Sequence, residues 1–162
     1  MKVVKKFLDI FVKIVSVLLM LLVAGIVAMM LTELVARNFF NKSFRFSTEL
    51  CGFLFMWMAF MGVIVLYHEE RLITLDILYL HVSEKLQTVF WCIGKLAAIV
   101  LGVIMVIAYI NMYKINSTSY FSTMQFISKA WHFLPMCIAG GFLAIDSVSM
   151  IAEKILKPKE VK

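Results

Sequence analysis

Charged residues are scarce in this chain, and they gather between long uncharged runs. Asp, Glu, Lys and Arg make up 16% of the 162 residues, whereas 63% are hydrophobic. A soluble domain carries about 25% charged residues, so the composition excludes an ordinary water-soluble fold. The net charge of +6 does not indicate nucleic-acid binding, because the basic residues lie at the ends of apolar runs and form no basic stripe. Cationic ends of this kind are typical of segments that meet a membrane surface.

Cysteine is also rare. Cys51, Cys92 and Cys137 lie in or beside apolar segments and have no paired spacing. This pattern argues against a disulfide framework and against a Cys-based metal site. We expect the three thiols to serve as small buried hydrophobic groups.

Motifs for catalysis or cofactor binding are missing as well. The chain has no HExxH, no Gly-rich phosphate loop and no GxSxG, which are the patterns of metalloproteases, nucleotide-binding proteins and hydrolases. Haem-binding histidines should face each other inside membrane spans. His68 and His81 instead lie at or beyond one edge of the apolar runs, and His132 lies at the opposite edge. The sequence therefore predicts no enzyme, no cofactor and no metal site, with the histidines at the interfaces.

Four apolar runs are long enough to cross a bilayer. The run from Leu50 to Tyr67 has 18 residues without a charge, which corresponds to ~27 Å of helix. The run from 14 to 32 has 19 uncharged residues, too long for the core of a signal peptide, so we interpret it as a first span. The sequence predicts one all-α membrane domain over 1–162, with spans at about 12–37, 48–68, 90–114 and 131–153. The more polar link at 69–88 is predicted to be a short interfacial helix.

The distribution of Lys and Arg predicts the orientation. Four spans place both termini on one side, which holds eleven basic residues against five on the other. Both termini are therefore expected in the cytoplasm. The first outer link is basic against this rule, because it contains Arg37, Lys42 and Arg45. A lipid phosphate or an acidic partner would hold that charge.

Few charges fall inside the spans. Asp146 lies seven residues before Glu153, so it is ~10 Å inside the helix end. A carboxylate within a span is a functional candidate by default. A structural pair between Lys95 and Asp146 is favoured over a proton or ion site. A transporter's own substrate site needs broken helices or several polar groups at mid-membrane, and the sequence shows neither, which indicates an accessory or scaffold protein.

Other local patterns suggest contacts between helices. Gly94, Ala98 and Gly102 fall at i, i+4 and i+8, a ridge that lets another helix approach closely. Glu33 and Arg37 are four residues apart and can pair on one helical face. Ser47 is a candidate N-cap, which would place Glu49 in the first turn of the second span, where the helix dipole favours a carboxylate.

The order of these features resembles a known family. A basic first outer link, a Glu opening the second span, a Trp and a Gly within that span, and a polar link ending in Ile-x-x-Asp together resemble the small membrane subunit (Q-type) of tripartite ATP-independent periplasmic (TRAP) transporters. The matching positions cover nearly the whole chain and are Arg37, Phe46, Ser47, Glu49, Trp57, Gly62, Ile73, Asp76, Pro135 and Gly140.

The resemblance implies a specific role. The small subunit would act as a fixed scaffold in the bacterial inner membrane, beside a large membrane subunit that moves substrate and sodium. A periplasmic binding protein would deliver an organic acid such as a C4-dicarboxylate or sialic acid. The residues expected to meet partner or phospholipid are Arg37, Lys42, Arg45, Glu49, Trp57, Gly62, Asp76, Gly94, Ala98 and Gly102.

Two other classes compete with this interpretation. A four-helix membrane redox protein would need paired histidines or a cofactor motif. A stand-alone channel or transporter would show a polar stripe along one span, whereas this sequence has isolated charges. Neighbouring genes for a ~12-helix membrane protein and a secreted binding protein would separate these alternatives from the TRAP assignment.

Overall fold

Four long helices make up nearly all of the structure, a computed structural model that describes residues 2–40, 45–69, 84–123 and 127–156. The helices are α1 (Lys2–Phe40), α2 (Arg45–His68), α3 (Glu84–Asn116) and α4 (Ala130–Leu156). Each contains a stretch long and apolar enough to cross a membrane. The prediction of an all-α protein with four spanning helices is confirmed.

Two helices begin well before the predicted start of their spans. α1 begins about ten residues before the predicted start, and α3 begins at Glu84 and not near residue 90. Charged residues at these ends continue the helix beyond the apolar run, because Lys and Glu are good helix formers. The predicted interfacial helix falls mostly outside the described residues, which resume at Glu84.

The prediction that Ser47 caps α2 is wrong. α2 begins at Arg45, so Ser47 lies within the first turn, where it is buried. An N-cap must precede the helical residues, and the phenylalanine at 46 is already helical. Glu49 consequently lies in the second turn of the helix.

The helices pack in the order α1, α2, α4, α3. α4 packs extensively on α3 and also on α2, whereas α1 packs on α2 and touches α4 at few positions. The main core joins the first half of α1 to α2 and α4. Its buried members are Leu8, Val12, Val15, Met61, Ile64, Ala139 and Phe142.

Much of α1 and α3 is left uncovered. Beyond Val15, the described side chains of α1 are mostly exposed, although Ile26 and Ala36 are buried. α3 likewise exposes a row of large apolar side chains, among them Ile104 and Ile107. In a membrane such surfaces contact lipid tails or another membrane protein.

Hydrogen bonds organise the connection between α3 and α4. The Lys129 N–H donates to the Ser119 carbonyl at 2.8 Å, and Tyr120 and Ser128 form an isolated antiparallel bridge. The Ser128 hydroxyl lies 3.1 Å from the carbonyl oxygens of both Asn116 and Ser117. These bonds satisfy carbonyl groups at the end of α3 that no helical N–H reaches.

Candidate functional site

Ionisable side chains from three helices meet around His68, the last residue of α2. Its Nε2 lies 2.9 Å from Asp9 Oδ1 on α1, and its Nδ1 lies 3.2 Å from Asp146 Oδ2 on α4. The Asp146 side chain is 2% exposed, whereas that of Asp9 is 47% exposed. The histidine thus links a buried carboxylate to one that reaches the surface.

Aromatic rings fix the position of the imidazole. Phe142 of α4 lies edge-on to the His68 ring at a centroid distance of 6.0 Å. Phe142 also stacks on Phe11 of α1, with centroids 5.6 Å apart. Because edge-to-face and offset-stacked pairs are favourable geometries, these rings support the same three-helix junction as the polar contacts.

A second polar contact joins α2 to α4 one residue earlier. Tyr67 Oη and Ser147 Oγ are 2.6 Å apart, and both residues are buried. The Ser147 hydroxyl also lies 2.5 Å from the Leu143 carbonyl. Ser147 therefore donates to the carbonyl and accepts from the tyrosine, which satisfies both hydroxyls inside the bundle.

Lys95 of α3 is buried at the same end of the bundle. Its Nζ lies 4.6 Å from the centre of the Tyr67 ring and donates to Met150 Sδ at 2.9 Å. It also interacts electrostatically with Asp146, and the imidazole of His68 forms a hydrogen bond with the same carboxylate. The direct pair between Lys95 and Asp146 stays a prediction. Lys95, His68 and Asp146 together form a cluster of more than two ionisable groups.

The sequence did not reveal the partners of Asp146. The sequence predicts only an interfacial position for His68 and gives no indication of a contact for Asp9. A usable signal was present, because the orientation count places Asp9, His68 and Asp146 near the same membrane face. Depth in the membrane does not tell which face of each helix turns inward, so the contacts of His68 with Asp9 and Asp146 are not predictable from the sequence.

Two glycines let α3 and α4 cross closely. A Cβ added to Gly102 would lie 2.5 Å from the Gly140 carbonyl oxygen, and one added to Gly140 would lie 2.8 Å from Met105 Cβ. The helix that approaches the predicted small-residue ridge is therefore α4 of the same chain.

The other two residues of the ridge differ in their surroundings. Ala98 is buried in contact with Tyr67 and Leu143. At Gly94 a Cβ would meet none of the described residues within 4 Å, so its predicted partner contact stays a prediction.

Glu49 binds the loop between α3 and α4. Its Oε2 accepts a hydrogen bond from the Thr123 N–H at 2.9 Å and a second from the Thr123 hydroxyl. This contact ties the start of α2 to a loop more than seventy residues away. The expected helix-start role of Glu49 did not include this partner.

Aromatic side chains pack beneath that loop. Phe53 of α2 lies 6.4 Å from Phe121 of the loop and 6.0 Å from His132 of α4, measured between ring centres. Trp57 lies one turn further along α2, 6.1 Å from Phe53. Among the described residues, Trp57 Nε1 and His132 Nδ1 are buried and have no hydrogen-bond partner, so ring packing is what holds this cluster together.

The remaining predicted contact residues are placed only in part. Arg37 is exposed near the end of α1, and its pairing with Glu33 stays a prediction. A Cβ added to Gly62 would meet no atom of the described chain within 4 Å. Lys42, Asp76 and the side chain of Arg45 lie outside the described part of the structure. Within the described part, no cluster of His, Cys, Asp or Glu is suited to a metal ion.

Comparison with known proteins identifies the family. A search of curated proteins found no match. The model of the family described as "Tripartite ATP-independent periplasmic transporters, DctQ component" matches residues 26–157, a range that contains α2, α3, α4 and part of α1. Together with the four apolar helices, this match shows that the chain belongs to the DctQ family, the small membrane component of TRAP transporters.

Proposed function

We propose that this chain is the fixed scaffold of a sodium-coupled transporter that imports an organic acid. It would pair with a large membrane subunit that carries substrate and sodium, and a periplasmic binding protein would deliver the substrate. C4-dicarboxylates and sialic acid are the substrate classes that the family resemblance suggests. The proposed location is the bacterial inner membrane with both termini in the cytoplasm, following the Lys and Arg distribution.

The scaffold role is supported by one observation, which is that the polar side chains inside the bundle bond to other helices of the same chain. Asp146, His68 and Ser147 each bond to a side chain on another helix of this chain. A substrate pathway would instead present convergent polar groups at a break in the helices. Groups that hold helices together favour a rigid body over a moving carrier.

The proposed partner contacts are the open small residues. Gly62 on α2 and Gly94 on α3 leave space beyond their Cα atoms, and the exposed apolar rows of α1 and α3 lie outside the bundle. Small residues allow close helix approach in lipid, where van der Waals packing drives association. Phospholipid would cover the parts of this surface that the large subunit leaves free.

Co-purification tests the partnership. The tagged chain is co-expressed with the large membrane subunit encoded beside it and purified in mild detergent. We expect recovery of a stable heterodimer with the wild-type chain. Replacing Gly62 or Gly94 with Leu should reduce recovery of the large subunit at least severalfold, because the new side chain occupies the space proposed for the partner.

Two controls make the result interpretable. Gly141 of α4 is equally open to an added Cβ and belongs to neither proposed contact surface, so Gly141→Leu should leave recovery unchanged. The thermal stability of each variant purified alone should be close to that of wild type, since an added Cβ at these glycines meets nothing within 4 Å among the described residues. Recovery of the wild-type chain without any large subunit contradicts the proposed partnership.

A further inference from the structure

The hydrogen bonds of His68 fix how many protons its cluster holds. Nε2 faces Asp9 and Nδ1 faces Asp146, at 2.9 and 3.2 Å. Each hydrogen bond needs one proton between nitrogen and oxygen. A neutral imidazole has one N–H and an ionised carboxylate has none. A neutral ring between two ionised carboxylates would therefore place a nitrogen lone pair against a carboxylate oxygen.

We infer that Asp9, His68 and Asp146 share two protons, and that the two resulting hydrogen bonds hold the start of α1 against α2 and α4. We call these three side chains the clasp, which is closed when both protons are present. The protons have two arrangements. Either the ring is an imidazolium between two carboxylates, or it is neutral and one carboxyl group is protonated. The count is two in both cases. This property goes beyond the scaffold role, because the attachment of α1 to the rest of the bundle then depends on protonation.

Four charged groups of the cluster balance one another in the closed state. Asp9 faces the ring from α1 and Asp146 faces it from α4, while Lys95 of α3 interacts electrostatically with Asp146. Two carboxylates, one imidazolium and one ammonium sum to zero. Loss of one proton to bulk water leaves a net negative charge in apolar surroundings, which is unfavourable unless a charged group moves into water.

The exposed link is the one that opens. The Asp146 side chain is 2% exposed, whereas that of Asp9 is already 47% exposed. The one remaining proton therefore stays in the hydrogen bond between His68 and Asp146, and the Asp9 carboxylate turns to solvent. Because α1 touches α4 at few positions, α1 is held beside α4 largely through α2, and release of Asp9 removes the hydrogen bond between α1 and His68 of α2 at this end.

Spin-label distances measured in lipid nanodiscs test the clasp. The full chain carries Val4→Cys and Val148→Cys, two exposed positions on α1 and α4, in a background with the three native cysteines replaced by alanine. We expect one short distance at about pH 5, where both protons are present, and a longer, broader distribution at about pH 9, where one proton has been lost. ¹⁵N spectra of histidine-labelled protein, assigned by comparison with His68→Gln, should show a proton leaving the ring cluster over the same pH interval.

Asp9→Asn is the decisive variant. An asparagine amide donates as well as accepts, so it bonds to a bare ring nitrogen and closes the link without a second proton. We expect the short distance at every pH in Asp9→Asn, while the matched control Glu33→Gln on the far half of α1 keeps the wild-type pH response. A wild-type distance that does not change with pH, or an unchanged pH response in Asp9→Asn, would overturn the proposal.

Discussion

At the scale of single residues, the buried polar side chains connect different helices. Tyr67 bonds to Ser147, and His68 bonds to both Asp9 and Asp146. In an apolar environment an unpartnered polar group is costly, so these pairs constrain how the helices rotate against each other. Specific helix orientation in this bundle therefore depends on a few hydrogen bonds as well as on packing.

Replacing Tyr67 with Phe should destabilise the bundle modestly. The change removes the hydroxyl that bonds to Ser147 but keeps the ring beneath Lys95. We expect the free energy of unfolding to fall by about 0.5–1.5 kcal/mol, the usual range for a hydrogen bond in a protein or a membrane. Denaturant titration in mixed micelles measures this difference.

Tyr113→Phe is the matched control for that measurement. Tyr113 lies on α3 with 52% of its surface exposed, and its contact with the Tyr109 ring does not use the hydroxyl. Its removal should leave the unfolding free energy unchanged. Equal losses in the two variants would show that the Tyr67–Ser147 bond adds no stability.

Replacing Glu49 with Ala should free the loop between α3 and α4. Glu49 accepts two hydrogen bonds from Thr123, and alanine accepts none. We expect hydrogen exchange at the Thr123 amide to become severalfold faster, with little change at amides in the middle of α4. Exchange rates equal to those of wild type would mean that the loop is held by the Phe53–Phe121 contact and not by Glu49.

The sequence located some of these residues but not their partners. Asp146, Lys95 and Glu49 stand out because charge is rare in the spans. Their partners depend on which face of each helix turns inward. α1 is apolar on nearly all sides between Ile14 and Thr32, so its periodicity does not indicate a packing face, and the Asp9–His68 contact was not predictable.

At the scale of helices, hydropathy was sufficient to find the four spans. Their ends were less predictable, since helices continue past the apolar run where Lys, Glu and Gln favour helix. Ser47 shows the same difficulty, because a residue typical of an N-cap lies inside the first turn of α2. The ridge of small residues on α3 predicted a close helix neighbour, and the neighbour at Gly102 is α4.

Gly102→Ala should weaken the crossing of α3 and α4. The new methyl group would lie 2.5 Å from the Gly140 carbonyl oxygen, a backbone atom that cannot rotate away. Overpacking of this kind costs about 1–3 kcal/mol, so we expect a lower melting temperature in detergent. Gly94→Ala is the control, because its methyl group meets nothing within 4 Å and should leave the melting temperature unchanged. A similar loss in both variants would point to a general effect of glycine replacement.

At the scale of the whole molecule, α4 is the centre and α1 is the outer layer. α4 packs against both α2 and α3, whereas α1 meets mainly α2. The wide apolar surface of α1 and α3 must be covered by lipid or protein. A scaffold that enlarges the stationary part of a transporter would use such a surface.

Both termini should lie in the cytoplasm. Eleven of the sixteen Lys and Arg residues fall on the side that contains the termini when all four helices cross the membrane. A green fluorescent protein fused to the C-terminus should therefore fluoresce, and an alkaline phosphatase fusion at the same site should be inactive. The opposite pattern would reverse the orientation and place the His68 cluster at the outer face.

The scaffold role is tested most directly by substrate uptake into proteoliposomes. The large membrane subunit is reconstituted with and without this chain, and the binding protein, its organic acid and an inward sodium gradient are supplied. We predict rapid uptake with both subunits and at least tenfold slower uptake when this chain is omitted. Uptake at the same rate by the large subunit alone would contradict a required scaffold role.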